Sequence, residues 1–218
     1  MRNSFVSVLI AAAALLIACE EEEVVGGCDP CPFVKTFQPL TEREHVLNNL
    51  ELSYNERRAN EFGKLLDNDF TFFFSPGDVG GNIPDQWGRV DELAVASRLF
   101  DLRLDDPNYP TCSSIRVDLM FESGVQWLDI PSPDVVGETW STTTVYYQGT
   151  FEMKPDMTYI MLPDARAQFA VRNVGTDVAP QWRLVEWRDL ADDSAVLSAA
   201  STEKSTWGQI KALYRGVD

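Results

Sequence analysis

The chain has 218 residues, with 34 acidic and 18 basic side chains and a formal net charge of −16. Such an excess of carboxylates repels nucleic-acid phosphates and anionic headgroups, which argues against a nucleic-acid-binding protein. We interpret the charge as a solvated acidic surface. The length allows one domain with a substantial buried core.

An apolar segment stands at the amino terminus. Arg2 and the terminal amine supply positive charge, and residues 5–18 are apolar apart from Ser7. This run is shorter than the roughly 20 residues that a helix needs to cross a bilayer. We therefore interpret residues 1–18 as a signal peptide that is removed on export.

The segment ends in Leu16-Ile17-Ala18-Cys19, which resembles a bacterial lipobox. The resemblance implies that Cys19 becomes the first residue of the mature protein and carries a lipid that anchors it in the cell envelope. An ordinary secretory signal with an incidental cysteine is the alternative, but the four glutamates that follow favour lipidation. Because Glu20 is not the Asp that favours inner-membrane retention in enterobacteria, we expect the outer membrane.

Residues 19–40 are predicted to be an acidic tether that contains proline and glycine and has no periodic apolar face. Cys28 and Cys31 lie within it. Neither a thioredoxin-like context nor a second cysteine pair for zinc is present, so we expect a Cys28–Cys31 disulfide in an oxidising envelope. Pairing of Cys112 with one of them stays open.

The folded domain is predicted to begin at Thr41, where Thr41 and Glu44 match a capping box. Asp67, Asn68 and Asp69 are expected to break the second helix. Apolar periodicity predicts helices over 41–58, 60–66, 90–102 and 205–214, and strands over 70–74, 115–122, 142–153, 158–162, 166–172 and 182–190.

Helices first and strands afterwards favour an α+β fold. Four stretches resemble the NTF2-like (SnoaL-like) superfamily, and its uncharacterised bacterial lipoproteins in particular: residues 65–70, residues 87–89, the closing strand and the last helix. The resemblance covers residues 41–190 and implies an α+β cone there, within a domain of residues 41–218. N-terminal helices would pack on a strongly curved antiparallel sheet that surrounds a conical pocket, with the C-terminal helix as an addition.

The catalytic groups of this superfamily are missing at two positions. Isomerase-like members place an Asp base just after the first strand, where this chain has Ser75 and Pro76. Dehydratase-like members use histidine, whereas His45 is the only histidine here and starts the first helix. No glycine loop for phosphate, nucleophile elbow, dinucleotide fingerprint or EF-hand pattern occurs, so we expect no cofactor and no metal.

Some pocket chemistry is still conceivable. Simple alternation along the last strand places Glu186 on the face of Trp182 and Leu184, towards the cone. Tyr54 continues the apolar stripe of the first helix and would also point inward. The alternatives are a core aromatic for Tyr54 and, for Glu186, a salt bridge to Arg166, Arg172 or Arg188. The pocket candidates are Tyr54, Phe72, Trp87, Trp182 and Glu186.

Two functions follow from these observations. The favoured one is a non-enzymatic, membrane-anchored envelope lipoprotein that binds a small apolar ligand in its cone or contacts an envelope protein. The other is a pocket enzyme that performs acid–base chemistry, with Glu186 as the base and Tyr54 as the hydrogen-bond donor. A carboxylate that faces the cone without a cationic partner would distinguish the enzyme from the binding protein.

Overall fold

The structure, a computed structural model, describes residues 35–104, 106–120, 125–133, 135–154, 158–190 and 203–216. The signal peptide, the lipid site at Cys19 and the pair Cys28 and Cys31 lie outside these residues, as does most of the tether. Those assignments therefore stay predictions. Within the described ranges, no helix is long and apolar enough to cross a membrane.

The described chain forms helices that precede most of the strands. The elements in chain order are α1 (Arg43–Asn55), α2 (Ala59–Leu65), β1 (Leu66–Phe73), β2 (Gln86–Gly88), α3 (Arg89–Phe100), β3 (Thr111–Met120), β4 (Leu128–Pro131), β5 (Thr139–Lys154), β6 (Thr158–Asn173), β7 (Trp182–Asp189), β8 (Glu203–Lys204) and α4 (Trp207–Ala212).

The strands form one sheet in the order β2-β1-β7-β6-β5-β3, with β4 paired to β5 and β8 paired to β6. The predicted α+β class is confirmed, with the helices packed on a mostly antiparallel sheet. The sheet also has two parallel pairs, since β1 pairs with β7 and β6 pairs with β8 in parallel. Parallel neighbours require a crossover connection, and the chain between β1 and β7 supplies one.

The start of α1 differs from the prediction. The helix begins at Arg43 with Glu42 as its N-cap, and no side chain caps it. The predicted capping box of Thr41 and Glu44 is therefore wrong, because the later start places Thr41 before the cap and Glu44 one position too early. His45 instead lies with its Nδ1 atom 2.6 Å from the carbonyl oxygen of Pro39.

The transition from α2 to β1 is tighter than predicted. The helix ends at Leu65, and the strand begins at Leu66 rather than at Phe70. Asp67 is buried there because Arg172 of β6 holds its carboxylate, with Nε 3.0 Å from Oδ2. A partner that is distant in sequence thus lets an acidic residue lie inside a strand.

The sheet has two chemically distinct faces. The inner face packs against the helices and carries the main core, whereas the outer face carries a small cluster of Trp140, Ala170 and Val185. The β6–β7 and β5–β6 pairs both contain register shifts. Such bulges bend a strand and strengthen its twist, which allows the inner face to surround the helices.

Candidate functional site

The interior between the helices and the inner face is where a pocket was predicted. Tyr54, Phe72 and Trp87 all lie there, and each is at most 5% exposed. The ring of Tyr54 makes edge contacts with Phe62 and Phe100, at centroid distances of 5.5 and 5.0 Å. Burial, and next to it the charge of Glu92, raises the pKa of Tyr54 well above its usual value. Tyr54 is thus a core aromatic.

Side chains of the C-terminal helix α4 pack into this interior. The Trp207 ring lies 4.9 Å from Tyr54, 5.6 Å from Tyr147 and 5.1 Å from Trp187, measured between ring centroids. Ile210 is also fully enclosed. The space that would receive a small apolar ligand therefore contains side chains of the chain itself.

A buried ion pair lies beside this ring cluster. Lys211 Nζ is 2.8 Å from Glu92 Oε1, and the two side chains are only 1% and 0% exposed. The other carboxylate oxygen of Glu92 accepts a hydrogen bond from Trp87 Nε1 at 2.8 Å. The Lys211 ammonium also lies 3.5 Å from the ring centroid of Phe72 and 3.7 Å from that of Trp187. Two aromatic faces and one carboxylate thus enclose the cation.

Burial lowers the pKa of Lys211 to about 8, although the charge of Glu92 acts in the opposite direction. A lysine with such a pKa can exchange protons near neutral pH, and this property often accompanies catalysis. Here the side chain is enclosed, and its ammonium already contacts Glu92 and two rings. The pair therefore links α4 to α3 inside the core.

Two more carboxylates attach α4 to the domain. Asp189 accepts hydrogen bonds from the Tyr147 hydroxyl at 3.0 Å and from the Gly208 backbone N–H at 3.1 Å. Asp78 accepts from the Thr206 hydroxyl at 2.5 Å and from Gln209 Nε2 at 2.8 Å. Both carboxylates lie at the first turn of α4, where negative charge is favourable.

Glu186 does not face the interior, and its predicted orientation is wrong. A register shift in the β6–β7 pair places Leu184 opposite Val171 but Glu186 opposite Ala170, on the outer face. The carboxylate there forms a bidentate pair with Arg188, at 2.5 and 2.9 Å. The bulge inserts one residue into β7, so residues after it point to the face opposite to that expected from simple alternation.

Trp182, the remaining pocket candidate, lies at the edge of the core. Its backbone N–H donates to the Leu40 carbonyl oxygen, and its ring centroid is 5.5 Å from the guanidinium carbon of Arg43. Cys112 is buried and forms no disulfide within the described residues, and its thiol donates to the Ser114 carbonyl oxygen at 3.2 Å. Within the described ranges, no group of three metal-binding side chains comes together.

Sequence reasoning missed Glu92, Lys211 and Asp189 as interior residues. Glu92 shares the helical stripe of Val95, Ala96 and Leu99, so the spacing alone indicated an inward position. Lys211 follows Trp207 by four residues and lies on the same helix face for the same reason. Asp189 could not be assigned, because its orientation depends on the bulge.

An open groove lies elsewhere on the surface. It has a volume of about 880 Å³ and runs between α2, α3 and the ends of β6 and β7. Its charged side chains are Lys64, Asp67, Arg89, Arg172 and Arg183. None of the five predicted pocket residues lines it.

Comparison with known proteins gives matches among solved structures only. No protein-family model matches the sequence, and no curated protein matches it. A conserved protein from Planctomyces limnophilus is similar to the chain at 12% identity, with 68% of this chain and 92% of that one covered and a TM-score of 0.45. A protein of unknown function from Mycobacterium tuberculosis gives 14% identity, 78% and 88% coverage and a TM-score of 0.45.

An NTF2-like superfamily protein from Salmonella enterica is 11% identical, with 71% of this chain and 92% of that one covered and a TM-score of 0.45. The element order and sheet described above have the NTF2-like arrangement of N-terminal helices packed on a mostly antiparallel sheet. The predicted arrangement of N-terminal helices on a mostly antiparallel sheet is thereby confirmed.

Proposed function

We propose that the protein is an exported lipoprotein of the bacterial envelope whose NTF2-like domain acts as a binding module and not as an enzyme. The observation that carries this proposal is the filled interior, in which Trp207 and Lys211 of α4 occupy the space where superfamily enzymes bind their substrates. Because side chains of the protein's own helix pack into this site, less of it is left for a reacting molecule.

The positions of the side chains argue against the alternative, a pocket enzyme with Glu186 as its base. Its two groups, Tyr54 and Glu186, lie on opposite sides of the sheet and cannot act on the same molecule. Arg188 also neutralises the Glu186 carboxylate in a bidentate pair. A general base must lie within hydrogen-bond reach of the proton that it removes, and Glu186 is on the wrong face for a substrate in the interior.

The same filled interior favours the protein surface over the cone as the place of binding. A small apolar ligand could enter only if α4 left, and leaving would break the Lys211–Glu92 pair and expose several aromatic rings. We therefore place the contact with a ligand or an envelope partner on the outside of the domain. The lipid on Cys19 would hold that surface near a membrane.

The anchor is tested by replacing Cys19 with Ser in the producing bacterium and separating membranes from soluble envelope contents. The Cys19→Ser protein should move to the soluble fraction and should no longer incorporate an alkyne-labelled fatty acid. Cys28→Ser is the matched control and should remain membrane-bound and labelled. A Cys19→Ser protein that still fractionates with membranes would overturn the anchor.

A further inference from the structure

The open groove reverses the charge pattern of the chain. Acidic side chains outnumber basic ones by 34 to 18 in the whole sequence. The groove is lined by four basic side chains and one acidic one, Asp67. Two of the four cations are paired with carboxylates, Lys64 with Glu61 and Arg172 with Asp67 and Asp69, so the excess of positive charge comes from Arg89 and Arg183. Such an excess on an acidic protein attracts anions.

Arg172 lines one side of the groove, and its charge is already paired with carboxylates. Its Nη2 atom lies 2.9 Å from Asp69 Oδ2, and Asp67 binds the same guanidinium from a second side. Burial opposes the charge, but the hydrogen bonds that Arg172 donates to Asp67 and Asp69 hold the pKa of Arg172 above its usual value. Arg172 is therefore a fixed part of the groove and has few donors left for a ligand.

Arg183 has no such compensation. It lies directly opposite Arg172 in the β6–β7 register, and like charges in that position repel each other. No carboxylate within the described ranges pairs with it. The half-buried guanidinium thus lines the groove, and none of the described carboxylates compensates its charge.

Arg89 is the second groove cation that pairs with no carboxylate among the described residues. Its Nη2 donates to the Gly63 carbonyl oxygen at 3.1 Å, which fixes the side chain against α2. Its Nε is buried and has no acceptor within the described part of the chain. A neutral carbonyl positions this guanidinium but does not neutralise it.

The rest of the lining includes apolar carbon from Leu93, Val174 and Ala59. An open cleft with apolar walls and two uncompensated guanidiniums matches a ligand with one anionic head and a small apolar body. Resting on the proposed non-enzymatic function, we infer that this groove binds a small organic anion, with Arg183 and Arg89 contacting its carboxylate or phosphate.

The test uses the full mature chain in a nonionic detergent and isothermal titration with phenyl phosphate, benzoate and benzamide. The two anions should bind and the neutral benzamide should not, and binding should weaken as salt is raised. Comparing phenyl phosphate with benzoate shows which anionic head the groove prefers. Arg183→Gln should weaken binding of the better anion by roughly tenfold or more, because a charged hydrogen-bond partner is lost.

Arg116→Gln is the matched control, since the Arg116 side chain is 79% exposed on β3 and lies outside the groove. The Arg116→Gln protein should bind the better anion with the same affinity as the wild type. Thermal unfolding of each variant checks that it is folded. Equal binding by wild type and Arg183→Gln, equal binding of benzamide, or no binding of either anion would each overturn the inference. The Cys19→Ser fractionation does not involve the groove, so the two proposals fail independently.

Discussion

At the scale of single residues, the Lys211–Glu92 pair is the most unusual feature of the domain. Moving two charges out of water costs several kcal/mol per ion, and mutual attraction offsets this cost only with good geometry and further polar contacts. Trp87 supplies one of these contacts to Glu92, and the faces of Phe72 and Trp187 surround the ammonium of Lys211. The pair thereby fixes one position of α4 in the interior.

Removing one partner should be more harmful than removing both charges. Lys211→Met leaves the Glu92 carboxylate buried without its cation, and we expect a loss of about 3–5 kcal/mol in the free energy of unfolding. The Lys211→Met/Glu92→Gln protein should recover much of that loss, since Gln still accepts the Trp87 hydrogen bond. Urea denaturation measures the free energy of unfolding of both variants. A double variant as unstable as Lys211→Met would contradict this view of the pair.

The lowered pKa of Lys211 also predicts a pH dependence. The pKa is about 8 in the folded protein against an ordinary value of 10.5, so the unfolded chain holds more protons between these two pH values. Stability therefore rises with pH in this window and falls as pH decreases towards 8.

The difference in unfolding free energy between wild type and Lys211→Met/Glu92→Gln should grow from pH 8 to pH 9.5, by at most about 1.4 kcal/mol per unit. Denaturation at several pH values measures it. The measurement stops at pH 9.5 because burial raises the pKa of Tyr54 and Tyr147 in the folded protein. At higher pH these tyrosines ionise in the unfolded chain first, and this adds a second pH dependence to the stability. A flat difference would show that Lys211 does not titrate in this range.

At the scale of elements, simple alternation predicted β3 correctly and β7 incorrectly. Ile115, Val117 and Leu119 are buried on β3 as the alternation requires. On β7 the bulge after Leu184 shifts the following residues, which moves Glu186 outward and Asp189 inward. Bulges depend on the pairing with a neighbouring strand, and no local pattern in this sequence indicates one. The helices were predictable because their apolar spacing is local.

In the docked α4, the backbone at Gly208 lies close to the side chains of Phe74 and Asp78. A Cβ atom there would lie 2.8 Å from Phe74 Cδ1 and 2.9 Å from Asp78 Oδ2. Gly208→Ala should therefore lower the free energy of unfolding by about 1–3 kcal/mol through overpacking.

Gly63→Ala is the matched control. Its Cβ would meet only Leu93 Cδ2, at an ordinary 3.4 Å, and alanine favours the helix by up to about 1 kcal/mol. Gly63→Ala should be neutral or stabilising in the same urea titration. A Gly208→Ala protein as stable as wild type would mean that α4 does not pack closely against Phe74 and Asp78.

At the scale of the whole molecule, the sequence predicted the fold class and a closing helix that docks through Trp207, Ile210 and Leu213. Trp207 and Ile210 are enclosed as expected, whereas Leu213 is 43% exposed. That α4 would pack into the interior could not be read from the sequence, because the location of a docked helix depends on the completed sheet. Tyr54, Phe72 and Trp87 therefore lie in the interior into which α4 packs. Trp182 lies at its edge, and Glu186 lies on the outer face of the sheet.

Hydrogen exchange measured by mass spectrometry on the full mature chain tests directly whether α4 closes the interior. If it does, the amides of Ile210 and Leu213, which donate to Thr206 and Gln209 within the helix, should exchange on the timescale of β7. The exposed Asp177 and Val178, whose amides donate no hydrogen bond within the described residues, lie in the loop after β6 and are the internal standard for rapid exchange. Exchange of α4 as rapid as that of the loop would mean that the helix leaves the interior readily, and would contradict a closed, non-catalytic domain.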